Sequence, residues 1–117
     1  MTQEIVLNLP LPPSLNGAYS TVGRRRVKSK KYRDWLNAAD GYLLTQQGWR
    51  KPIIGPYTLH ISIPQSMRGD ATNRVKLCED YLVSRFITSD DRFCQSATVE
   101  RDATISKNMC KVMVRGI

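Results

Sequence analysis

Five of the ten acidic residues in this 117-residue chain fall within Arg68–Asp91, RGDATNRVKLCEDYLVSRFITSDD. The types that matter for chemistry are the carboxylates Asp70, Asp80, Asp90 and Asp91, with Lys76 between them. Carboxylates gathered from two loops repel and raise one another's pKa. A divalent cation removes that penalty, and Mg²⁺ takes oxygen ligands, commonly one or two carboxylates completed by water and substrate phosphate. A lysine one turn into the adjoining helix can hold a phosphate or stabilise the charge that builds up as a phosphodiester is attacked. A plainer assignment stays open beside this one. Asp70 then only caps a helix, Lys76 and Asp80 are a solvated i, i+4 pair, and Asp90-Asp91 is a turn.

The neighbouring residues position these groups. Tyr57, Leu59, Ile61 and Ile63 alternate with Thr58, His60 and Ser62, a strand closed by Pro64. Gln65–Gly69 then forms a loop, and Asp70 follows as an N-cap. From Ala71 the spacing predicts a helix with Ala71, Val75, Cys78 and Leu82 on its buried side. Asn73, Lys76 and Asp80 lie on the opposite, polar side. Ile87–Asp91 leads back towards Asp70, with Phe86-Ile87 pairing briefly with the sheet.

This stretch resembles the signature of the RusA-type crossover junction endodeoxyribonucleases, the Holliday-junction resolvases often carried by prophages. That family has a D-x-D-N-x-x-K-x-x-x-D helix start followed by a turn ending in D-D. Asp70, Asn73, Lys76, Asp80, Asp90 and Asp91 stand at matching positions. Pro12-Pro13-Ser14 with Asn16 is similar to the family's P-P-S-x-N, and Tyr32-Arg33 to its Y-R. The resemblance implies a small α/β fold, a homodimer, Mg²⁺-dependent cleavage and four-way junction DNA as substrate, in DNA recombination and repair. On it, Asp70, Asp90 and Asp91 hold the metal, Asp70, Asp91 and Lys76 are catalytic, and Thr72, Asn73 and Asp80 orient the site. One departure stands out: the family's second carboxylate falls on Thr72, a neutral and weaker ligand. The site is one charge short, so a catalytically impaired junction- or duplex-binding protein on the same scaffold is the alternative.

The remaining chain is strongly basic, with 18 Lys+Arg against 10 Asp+Glu and a net charge of +8. Such an excess in a small domain points to a polyanion. Its centre is Arg24–Arg33, where Arg24, Arg25, Arg26, Lys28, Lys30, Lys31 and Arg33 supply seven cations. We expect a flexible loop here that orders on a DNA backbone. Asn16 and Tyr19 upstream, and Arg68 and Arg74 near Asp70, complete the expected DNA contacts. Tyr19 can stack on a base or pin its loop to the core. No apolar run is long enough to span a membrane. The N-terminal residues lack the pattern of a signal peptide, so a cytoplasmic protein without an organic cofactor is expected. Cys78, Cys94 and Cys110 show neither a paired framework nor zinc spacing and are read as reduced thiols.

Glu4–Leu9 alternates as a first strand, ended by Pro10, Pro12 and Pro13. Ser29 is the expected cap of a helix reaching about Gln47, with Tyr32, Trp35, Leu36, Ala39 and Leu43 as its apolar stripe and Gly48 beyond. The lone His60 has no nucleophile partner and is read as structural. Phe93–Asp102, with Ala97 and Val99 inward, and Met109–Arg115 are expected to form a hairpin turning at 103–108. The sum is a single α+β domain over residues 1–117, a mixed β-sheet of four or five strands with two α-helices packed on one face. A homodimer would place two active sites on a junction of approximate two-fold symmetry.

Overall fold

In the computed structural model, which describes residues 3–117, eight principal elements follow one another. They are β1 (Glu4–Pro10), β2 (Tyr19–Val22), β3 (Arg25–Lys28), α1 (Lys30–Leu44), β4 (Tyr57–Pro64), α2 (Val75–Ser84), β5 (Cys94–Asp102) and β6 (Met109–Gly116). The fold is α+β. β1, β6, β4 and β5 form a four-stranded mixed sheet in that order, with only β4 and β5 parallel. The register explains the order. Ile5, Leu7 and Leu9 lie opposite Val114, Val112 and Cys110, which in turn flank Leu59 and Ile61, so every inward residue falls in one apolar layer. Each such side chain contributes about 1.5–3 kcal/mol when fully removed from water.

Both helices close that layer from the same side. α1 buries Tyr32, Trp35, Ala39 and Leu43, and α2 buries Leu77, Cys78, Tyr81 and Leu82. Their seam is the edge-on contact of Trp35 with Tyr81, ring centroids 5.3 Å apart. Across it Asp40 accepts hydrogen bonds from Tyr81 Oη (2.8 Å), Arg85 Nε (2.7 Å) and an Arg85 terminal nitrogen (2.9 Å). Ser29 caps α1, accepting from the Tyr32 amide, and its hydroxyl also donates to the Gly17 carbonyl.

Several expectations need correction. The basic stretch is not a flexible loop: β2 and β3 pair as an antiparallel ribbon, turning at Gly23 with φ +64°. β5 and β6 are not a hairpin, because β6 inserts between β1 and β4, and residues 103–108 carry the chain past the end of β4. α1 stops at Leu44, since Thr45 Oγ1 turns back onto the Tyr42 carbonyl and Gln46 bonds both backbone groups of Asn8 on β1. A 3₁₀ turn, Ala71–Arg74, precedes α2, whose buried side centres on Leu77 and Tyr81 while Ala71 and Val75 are only half-buried. Ala97 is exposed because β5 is an edge strand that neither helix covers. Phe86, at φ +58°, is exposed and outside the sheet; only Thr88 forms an isolated bridge, to Ile53. His60 joins β4 to β5 through Thr98 and Glu100. The three cysteines are free thiols, and no helix among the described residues is long and apolar enough to cross a membrane.

Candidate active site

β4 ends at Pro64, and the loop after it delivers Asp70. The guanidinium of Arg101 on β5 donates to the carbonyls of Gln65 (3.4 Å), Met67 and Gly69 (2.9 Å). Gly69 sits at φ +92°, a conformation open to glycine and strained for other residues. Asp70 then caps the 3₁₀ turn. Its Oδ1 accepts from the Thr72 hydroxyl at 2.8 Å and the Thr72 amide at 3.0 Å. The hydroxyl first, then the amide, hold the Asp70 carboxyl below its ordinary pKa. Asp70 Oδ2 takes no hydrogen bond among the described residues and faces solvent. The Asn73 amide donates to the Asp70 carbonyl, fixing the same turn.

On the next turn Lys76 Nζ lies 3.0 Å from Asp80 Oδ1 and 3.3 Å from Asp91 Oδ2. Asp80 chiefly, with Asp91 assisting, raises the Lys76 pKa, so it remains a cation at neutral pH and is unsuited to act as a base. Asp90 caps the 3₁₀ turn Asp91–Phe93, accepting from the Arg92 amide at 3.0 Å. That amide bond leads the influences that lower the Asp90 pKa. The structure therefore brings Lys76, Asp80 and Asp91 together on the polar side of α2. It does not gather three ligating side chains into a metal cage anywhere among the described residues. The donors fit a hard ion that substrate would help to hold: they are carboxylate oxygens, and Asp70 keeps one oxygen open to solvent.

The cations expected to meet DNA fall into two groups. Arg24, Arg25, Arg26 and Lys28 project from the β2–β3 ribbon, all exposed. Arg26 lies 4.1 Å above the Tyr19 ring, Lys28 lies 5.9 Å from the Tyr32 ring, and Tyr19 meets Tyr32 edge-on at 5.6 Å. Tyr19 thus pins the ribbon to α1. Asn16 is exposed on a 3₁₀ turn and shares a cavity of about 390 Å³ with Arg24, Arg25 and Arg26. Lys30 pairs with Asp34 at 2.7 Å, so its charge is partly answered within α1. Lys31 lies beside a groove with Asp34 and Trp35. In the second group Arg68 is exposed, whereas Arg74 is half-buried, donates to the Pro12 carbonyl at 2.5 Å and shares the groove that Lys31 lines. That bond ties the Pro12-Pro13 segment to the Asp70 turn. Sequence reasoning missed Arg101. Only its register opposite Ile63 at the end of β5 puts it beside the loop, and no local pattern signals that.

The family model for Endodeoxyribonuclease RusA matches residues 10–115. The chain belongs to the RusA endodeoxyribonuclease family. The matched span takes in the Pro12-Pro13 segment, the basic ribbon and the whole Asp70–Asp91 stretch. RusA-family nucleases generally use a divalent metal. None of the curated proteins matches the chain.

Proposed function

We propose that this RusA-family protein is a Mg²⁺-dependent, structure-selective endonuclease that resolves four-way DNA junctions as a single-domain cytoplasmic homodimer. The observation that supports the reading is Lys76 held between Asp80 and Asp91, in a chain whose family cleaves DNA. Asp70, Asp90 and Asp91 are the residues that would hold the ion. When bound, such an ion acidifies water and draws charge from a phosphoryl oxygen. The protein's own part is positional and electrostatic. Lys76, kept protonated by its two carboxylates, offers positive charge to the phosphate as negative charge develops. Thr72 keeps Asp70 ionised and turned outward, and Asn73 fixes the turn that carries it. The ribbon arginines draw in the DNA backbone and give no sequence preference by themselves.

The second reading is a junction- or duplex-binding protein of impaired activity, favoured by Thr72 in place of a family carboxylate. One experiment separates the two. The protein is incubated with four-way junction, duplex and RNA, each with Mg²⁺ and with EDTA. Paired nicks in the junction that need Mg²⁺ support the first reading, and tight junction binding without nicks supports the second.

A further inference from the structure

Arg74 presents an anomaly that the candidate site does not absorb. One terminal nitrogen is held by the Pro12 carbonyl, yet its Nε is buried with no hydrogen-bond partner. No carboxylate pairs with it among the described residues, and burial pulls its pKa down from the ordinary arginine value. A buried guanidinium donor left without an acceptor is costly, so such groups are normally answered by an anion or a fixed water. The side chain lines a cavity of about 450 Å³ walled also by Ser66, Arg68, Lys107 and Asn108 and floored by Leu11 and Pro64. Arg68, Arg74 and Lys107 bring three cations to it, and no carboxylate lines it. The walls come from three separate segments, and Arg68 is linked through Gly69 to Asp70.

We propose that this cavity is a phosphate subsite, with the Arg74 guanidinium, Arg68 and Lys107 as its donors. Its occupant is a backbone phosphodiester of the strand that passes Asp70, distinct from the one to be cut. The assignment of DNA as the source rests on the nuclease reading above. The Pro12 contact holds the guanidinium in place before any ligand arrives, so little side-chain freedom is lost on binding. The remaining donors then meet phosphate oxygens in charge-assisted bonds.

The test reads the atom itself. In ¹⁵N-labelled protein the Arg74 Nε–H resonance is assigned by its loss in Arg74→Lys. Inorganic phosphate and dimethyl phosphate are then titrated, a monoester-like and a diester probe. The expected result is a saturable shift of that resonance with both, weakened about tenfold in Lys107→Ala, the worth of one charge-assisted bond. An unmoved resonance means an ordered water only and overturns the proposal. In parallel, single methylphosphonates are walked along the strand flanking the branch point of a junction. One position should weaken the natural protein about tenfold and weaken Lys107→Ala less, since that variant has already lost one of the three cations. A position-independent loss, equal in both proteins, overturns the backbone assignment. A resonance that shifts with phosphate in a protein that ignores junctions would sink the nuclease reading and leave the subsite standing.

Discussion

Replacing Arg24, Arg25 and Arg26 together with alanine should change the salt dependence of DNA binding by an amount fixed by the ribbon's geometry. All three are exposed, and none is paired with a carboxylate among the described residues. Arg26 lies over Tyr19, a contact that leaves its charge uncancelled. Each phosphate contact adds about 0.9 to the slope of log affinity against log salt, so the triple variant should lose about 2.7. Between about 50 and 200 mM salt the natural protein should then lose roughly fortyfold more affinity than the variant does. The assay is fluorescence anisotropy with labelled junction and duplex across that range. Folding is controlled independently, because Tyr19 keeps its edge contact with Tyr32 and exposed substitutions usually change stability by under about 0.5 kcal/mol. An unchanged slope in a variant with natural melting behaviour would refute the claim that the ribbon touches the DNA backbone.

Thr72→Asp sets a second carboxylate against Asp70 in place of the hydroxyl that now donates to it. Without metal the variant should melt lower than the natural protein, and with Mg²⁺ it should nick junctions at a lower metal concentration; equal or lower activity throughout a Mg²⁺ titration counts against position 72 as a vacated ligand. Thr72→Val should move the Asp70 pKa up towards the ordinary carboxylate value, read by carbon NMR titration of that carboxyl, and an unmoved pKa would deny the hydroxyl its part. Asp40→Asn breaks the charged contact with Arg85; because the two side chains are 41% and 31% exposed, the loss at pH 7 should be only about 1–2 kcal/mol. Arg85 holds the Asp40 carboxyl below its unfolded value, so this stability is present above about pH 4 and disappears as the pH falls through the lowered folded value. In urea melts the gap between the two proteins should therefore be smaller at pH 3 than at pH 7, and an equal gap at both would contradict the linkage.

The sheet strands were legible where one face is buried, because alternation then leaves little choice: Ile5-Leu7-Leu9, Leu59-Ile61-Ile63 and Cys110-Val112-Val114 all lie in the core. The Ser29 and Asp70 caps were legible for a local reason too, since a cap is decided by hydrogen bonds to residues two or three places on. The polar side of α2 followed from helical spacing, and Lys76, Asp80 and Asp91 meet there. What escaped was decided at long range or by a signal that charge concealed. The β2–β3 ribbon reads as a run of cations, which conceals both its strand pairing and the contact of Tyr19 with Tyr32 that pins it to α1. The insertion of β6 between β1 and β4 matches apolar rows across three strands, which the turn residues at 103–108 do not encode. Arg101 and the lodged Arg74 are likewise products of tertiary approach.

The central claim is that Asp70 serves metal-dependent strand cleavage and not the binding of DNA. Its most direct test is to measure Mg²⁺-dependent nicking and junction affinity side by side for the natural protein and Asp70→Asn. Asp70 is exposed, and Asn retains an oxygen to accept from the Thr72 amide, so the variant should fold normally. The account predicts symmetric nicks by the natural protein that EDTA abolishes, and no nicks by Asp70→Asn with junction affinity equal or higher. Nicking by Asp70→Asn at the natural rate, or loss of its binding and cleavage together while folded, would contradict it.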